Sequence, residues 1–153
     1  MLGKIIKTFT ELCMEWFKDV LEIHTRGKGM ININSDVEAL VSKRKVAEGM
    51  CFLFIPHASA SLVISEGFDP SARVDVEDFY ERLVPENQPW IQHTLEGADD
   101  SPSHIRSTLT QSSLTIPIDN NRLSLGTWQG IYLFEHRSHN HLRNVNVRFL
   151  KVS

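Results

Sequence analysis

His57, His93 and His104 are the side chains in this chain best suited to chemistry. His57 leads the stretch HASASLVISE, and His93 and His104 bracket TLEGADDSPS. Three histidines from separate segments can hold a metal and leave one coordination position open. If Pro102 begins a helix, His104 lies in its first turn, where the helix dipole disfavours a protonated ring. A neutral imidazole there can bind a metal or act as a base. Spacing alone does not separate these roles from structural or solvated histidines, which are the commoner case. A later group, His136, His139 and His141 in HRSHNHLR, falls between two expected strands and reads as a solvated loop.

Two polar faces accompany the histidines. Strand periodicity puts His57, Ser59 and Ser61 on one face, with Ala58, Ala60, Leu62 and Ile64 on the other. A histidine followed by two short hydroxyls suits a pocket wall for a polar or anionic ligand. It equally suits the wet side of a half-buried strand. In GTWQGIYLFEHR the same counting groups Thr127, Gln129, Ile131, Leu133, Glu135 and Arg137, and turns Trp128, Tyr132 and Phe134 the other way. Gln129, Glu135 and Arg137 can hold a ligand's polar groups or form a cross-strand ion pair. Glu66 and Asp75 sit near expected element starts, as helix-terminal charges or as metal or base carboxylates.

The elements that must position these groups are short. WFKDVLEIH (16–24) and MCFLFIP (50–56) read as strands, with RGKG as a turn. NSDVEALVSKRKV reads as a helix capped by Asn34 or Ser35, ending before Glu48-Gly49. DPSARVDVEDFYERLVP reads as a helix capped by Ser71 and stopped by Pro85. SPSHIRSTLT begins another, with Ser101 as N-cap and Pro102 first. SSLTIPI, RLSLGTWQGIYLFEHR and RNVNVRFLKV then read as consecutive antiparallel strands, the first two joined by a tight Asp119-Asn120-Asn121 turn. Strands at both ends and helices between them imply an α+β fold, one domain over 1–153, with a mixed or antiparallel sheet and a few helices.

Composition sets the outer limits. The chain has 153 residues, 41% hydrophobic and 23% charged, ordinary for a globular protein. A net charge of -3 argues against a general nucleic-acid binder. No apolar run approaches the roughly 20 residues of a membrane helix. The start, MLGKIIKTFTELCMEW, shows no apolar core of a signal peptide, so a cytoplasmic protein is expected. Cys13 and Cys51 have no metal-type spacing. There is no nucleophile-elbow, P-loop or dinucleotide fingerprint.

FIPHASASLVISE, WIQH, SHIRSTLTQSSLTIPI and RLSLGTWQGIYLFEHR occur in the order seen in the YjbQ-like family, also called the secondary thiamine-phosphate synthase enzyme family. The resemblance runs from about Trp16 to Val152, with LGTWQGIYLFE its most specific part. It implies an α+β fold assembled as a homotrimer, a site of histidines and acidic residues, and a divalent metal ion, zinc or magnesium. It further implies a weak thiamine-phosphate synthase activity, which joins a pyrimidine methyl diphosphate to a thiazole phosphate and releases pyrophosphate. A small phosphorylated metabolite is the expected partner, with no nucleic acid and no membrane. The alternatives are a non-catalytic metal- or anion-binding trimer and a metal-dependent phosphoester hydrolase.

Motif positions carry over one by one. His57, His93 and His104 are the implied metal ligands, and His57 is also an implied catalytic group with Glu66 and Asp75, which orient a ligand histidine or serve as base. Ser59, Ser112 and Arg137 are the implied phosphate binders, with Ser61, Gln129 and Glu135 completing the substrate pocket. The chain departs from the family pattern at Ala58, where a threonine is usual, through ADDSPS, and at Gln111, where a glycine precedes the serine.

Overall fold

The computed structural model describes residues 13–152. Most of the N-terminal stretch read above for a signal peptide therefore lies outside the described residues.

Two antiparallel sheets form the frame. In the first, β1 (Met14–His24) pairs along its whole length with β8 (Leu142–Val152), from Met14 opposite Val152 to His24 opposite Leu142. The other edge of β8 pairs with β3 (Glu48–Phe54), which pairs with β5 (Ser113–Asp119) and through it reaches the two-residue β6 (Arg122–Leu123). Asn120 and Asn121 make the β5–β6 turn at φ 53° and 62°. Asparagine tolerates that left-handed backbone, so the tight turn expected at Asp119-Asn120-Asn121 is present. The second sheet is β2 (Gly29–Asn32), β7 (Gln129–Glu135) and β4 (Ala60–Glu66), with β7 in the middle.

The fold class is α+β, as the sequence implied, but the late strands are not spatial neighbours in chain order. After β6 the chain leaves the first sheet, places β7 between β2 and β4, and returns as β8 between β1 and β3. The reason lies in β7 itself. Ile131 and Leu133 face the main core, while Tyr132 and Phe134 face a second cluster with Met30, Val63, Val76 and Tyr80. A strand apolar on both sides needs cover on both, and the middle of a sandwiched sheet provides it. The main core is built from Cys51 and Leu53 of β3, Leu114, Ile116 and Ile118 of β5, and Val145, Val147 and Phe149 of β8. It is closed by Val37 and Val41 of the helix α1 (Asn34–Arg44). Each such fully buried side chain contributes about 1.5–3 kcal/mol of transfer free energy.

The helix starts differ from those read in the sequence. In α1 neither Asn34 nor Ser35 caps: Ile33 occupies the cap position, and Asn34 Oδ1 instead accepts the Ile131 N–H of β7 at 3.3 Å. The helix α2 (Pro70–Leu83) is capped by Asp69, which accepts the Ser71 N–H at 2.9 Å. Pro70 takes the first helical position, where its missing N–H costs nothing. Helix α3 (Asp100–Leu109) starts ahead of the expected Ser101 cap, with Asp99 at the cap position. No helix among the described residues is long and apolar enough to cross a membrane.

Candidate metal centre

The early start of α3 decides the site. With Asp100 in the helix, Asp100 and His104 are four residues apart and share one helix face. Asp100 Oδ2 lies 3.2 Å from His104 Nε2. His93, from the loop between α2 and α3, approaches the same oxygen to 2.7 Å with its Nε2. One ligand atom from each of His93, Asp100 and His104 falls within 4.8 Å of the others.

The hydrogen bonds around this cluster leave its centre open. His104 Nδ1 lies 2.9 Å from the Ala58 carbonyl oxygen. A carbonyl only accepts, so Nδ1 carries a proton and Nε2 is the nitrogen turned to Asp100. The Asp100 side chain is 1% exposed, and its Oδ2 accepts no aligned hydrogen bond despite the two nearby ring nitrogens. A buried carboxylate oxygen with no donor is costly. Two imidazole nitrogens and a carboxylate oxygen converging on one point are also the donor set a cation takes.

The other Asp100 oxygen is fixed from behind. Arg137, just beyond β7, donates from Nη1 to Asp100 Oδ1, from Nε to Asp99 Oδ2 at 3.1 Å and from Nη2 to the Glu96 carbonyl at 2.9 Å. The Ser138 N–H adds a 2.7 Å bond to Asp99 Oδ2. Burial alone would raise the Asp100 pKa; His104, Arg137 and His93 outweigh it and hold the carboxyl below its ordinary value. Burial likewise pushes Asp99 up, and the Ser138 and Arg137 bonds bring it below its usual range.

Of the remaining sequence-derived residues, Ser59, Ser61 and Glu135 are joined through Arg143 and His136, apart from the His93–Asp100–His104 cluster. His57 stands outside the cluster: its Nε2 accepts the Asn144 N–H of β8 at 3.0 Å, which leaves a neutral ring no lone pair for a metal. Burial, followed by the Arg143 charge, lowers its pKa and favours that neutral ring. Ser59 Oγ accepts from Arg143 Nη2 at 3.0 Å. Ser61 is buried, with Oγ 2.9 Å from His136 Nε2. Glu135 is fully buried in a two-point pair with Arg143, at 2.6 and 2.7 Å. Arg137 directs its donors to Asp99, Asp100 and Glu96 rather than to solvent. Gln129 Oε1 accepts the Gly126 N–H at 2.8 Å and closes a turn. Glu66 accepts the N–H groups of Phe68 and Asp69, ahead of α2. Ser112 is exposed, and its carbonyl accepts the Ile55 N–H at 2.9 Å. Asp75 lies on α2 at the edge of an apolar cleft of about 370 Å³ lined by Val63, Ile64, Val76 and Phe79.

Sequence reasoning overlooked Asp100, Asp99 and Arg143. For Asp100 the signal was present as aspartate and histidine four residues apart beside a helix start. His136, read as solvated, is buried against Ser61 and Phe134.

The family and the fold are shared with known proteins. The model of the family described as UPF0047 protein YjbQ-like matches residues 19–152. A UPF0047 protein of Synechocystis is 48% identical over 130 residues, covering 85% of this chain and 88% of the relative. The UPF0047 protein YjbQ of Escherichia coli O157:H7 is 38% identical over 131 residues, covering 85% and 94%. A conserved hypothetical protein from Thermus thermophilus superposes with a TM-score of 0.76 at 35% identity, covering 84% of this chain and 97% of that one. A protein of unknown function from Sulfolobus solfataricus, at 23% identity and a TM-score of 0.82 over 91% and 99%, shares the fold.

Proposed function

The chain belongs to the UPF0047 family of YjbQ-like proteins, and on that footing we propose that it is a metal-binding enzyme acting on a phosphorylated small molecule. The observation that carries the metal is Asp100 Oδ2: buried, without an aligned donor, and 2.7 and 3.2 Å from two imidazole nitrogens. Two nitrogens and one carboxylate oxygen fit a three-ligand site with an open fourth position. That donor set favours zinc and its transition-metal neighbours over magnesium, which prefers oxygen ligands.

Bound there, a divalent ion supplies Lewis-acid stabilisation of negative phosphoryl oxygens. The protein's own groups prepare the site: the Ala58 carbonyl sets the His104 tautomer, and Arg137 aims the Asp100 carboxylate. Formation of thiamine phosphate is the candidate reaction implied by the family resemblance. In it the thiazole nitrogen forms a bond to the pyrimidine methylene carbon while the carbon–oxygen bond breaks, and pyrophosphate leaves with the electron pair. Hydrolysis of a phosphoester is the second reading, favoured by the half-exposed His93, which leaves room for water. The homotrimer implied by the resemblance is supported by the apolar surface of α2, where Val74, Phe79 and Leu83 are exposed.

The test is metal content per chain by plasma mass spectrometry, on tag-free wild type, Asp100→Asn and His104→Ala. Near-stoichiometric metal in the wild type, lost in both variants, is expected. Thiamine phosphate formation and phosphoester hydrolysis, assayed with and without chelator, must then vanish in the same variants. A metal-free wild type, or turnover untouched in both variants, overturns the reading.

A further inference from the structure

A second group of charges lies in a cleft of about 410 Å³ between the turn from β1 into β2 and helix α2. Its walls carry His24, Arg26, Lys28, Arg73 and Glu77. The turn is held against its surroundings by two glycines. Gly27, at φ +97°, has room for no side chain, because a Cβ would come 2.9 Å from the Ser138 carbonyl oxygen. Gly29, at φ +141°, would place one 3.3 Å from Glu77 Oε1.

The charges in this cleft are poorly balanced. Glu77 Oε1 accepts the Met30 N–H at 2.7 Å and is committed to the β2 backbone. Arg73 forms a long i,i+4 ion pair with that same oxygen, Nε at 3.7 Å and without a hydrogen bond, while its side chain is 42% exposed. Arg26 forms no ion pair among the described residues, whereas the neighbouring Lys28 is taken up by Glu81 and Glu86. Two guanidinium groups in one cleft, Arg26 without an ion pair among the described residues and Arg73 with only a long one, suit it to an anion.

We propose that this cleft binds the phosphate or diphosphate group of a small molecule, with Arg26 and Arg73 donating to its oxygens. The planar fork of an arginine matches two phosphate oxygens at once. The inference deepens the function proposed above: it rests on that reading for the substrate, and on the cleft alone for the anion. It also supplies what Arg137 does not, since the donors of Arg137 are turned to Asp99, Asp100 and Glu96. Ser138 connects the two places. Its carbonyl faces Gly27, and its N–H holds Asp99 behind the metal cluster.

The experiment titrates chelator-treated, full-length protein with inorganic phosphate and with pyrophosphate by calorimetry, at low and high salt. The samples are wild type, Arg26→Gln, Arg73→Gln and His104→Ala, with thermal melts confirming that each is folded. Saturable binding is expected in the wild type and in His104→Ala, weaker at high salt. Each glutamine variant should bind about tenfold more weakly, the loss of one charge-assisted contact. Arg26→Lys and Arg73→Lys keep the charge and should retain more binding than the glutamine variants, which guards against a misfolded variant. No saturable binding by the wild type overturns the proposal, and so does binding that both glutamine variants keep unchanged. Metal content of His104→Ala reports on the proposed function separately, so failure of one reading is distinguishable from failure of the other.

Discussion

Asp100 and Arg137, 37 residues apart in sequence, divide one carboxylate between two tasks: Arg137 holds Oδ1 while Oδ2 faces His93 and His104. An ion pair on one oxygen fixes the direction of the other, as a supporting residue does for a metal ligand. Arg137→Gln removes the charge and keeps a shorter donor. Metal affinity, measured by competition with a chromophoric chelator, should fall about 10- to 100-fold, the usual cost of losing such a supporting partner. Unchanged affinity would leave Arg137 a purely structural residue.

The helix start explains how much of this centre could be read beforehand. His93 and His104 were visible as histidines around a helix-start signal. Asp100 was not, because Ser101 and Pro102 look like a cap and a first helical residue. Asp99 takes the cap position instead, and its side chain binds Arg137 and Ser138 rather than its own helix. His57 was grouped with Ser59 and Ser61 by assuming that the strand begins at the histidine. In fact β4 begins at Ala60, and His57 turns to the backbone of β8. The alternation along β7 was legible, since Ile131 and Leu133 do face away from Tyr132 and Phe134. Its place in a second sheet was not, because partner choice depends on burial supplied by distant segments.

The buried pair of Glu135 and Arg143 is expected to matter for folding more than for turnover. Burial raises the Glu135 pKa, and the Arg143 bonds outweigh it, so the carboxyl stays ionised below its ordinary range. Arg143→Met leaves that charge without its partner and should cost about 3–5 kcal/mol in urea unfolding. Arg143→Met combined with Glu135→Gln removes both charges and should recover part of the loss.

His136 gives the fold an acid-sensitive point. Burial, with the Arg106 charge adding to it, lowers its pKa from 6.5 to about 3. The folded value lies below the unfolded one, so the neutral ring stabilises the fold fully above about pH 6.5 and progressively less as the pH falls toward 3. Urea midpoints measured from pH 7 to pH 4 should decline for the wild type. His136→Gln, which cannot titrate, should decline less steeply; parallel slopes would remove His136 from the acid response.

The exposed face of α2 is the expected contact of the proposed trimer. Phe79 is 57% exposed, beside Tyr80 and the apolar cleft. Phe79→Glu places a charge in any interface formed there. Sedimentation velocity should find a trimer for the wild type and smaller species for the variant. A monomeric wild type, or an intact trimer in the variant, would move the contact elsewhere.

The pairing of β1 with β8 also bears on the order in which the chain becomes ordered. Within the described residues β1 is an edge strand with one neighbour, and that neighbour is the last of the described strands to be made. On a ribosome, β1 waits unpaired while the described elements from β2 to β7 emerge, with Trp16 and Val20 already synthesised and β3 lacking β8 along one edge. Pairings between such distant segments are slow to form, because loop closure must precede any gain from contact. The interval before β8 arrives is thus the period in which this protein is most open to strand-edge aggregation and to chaperones.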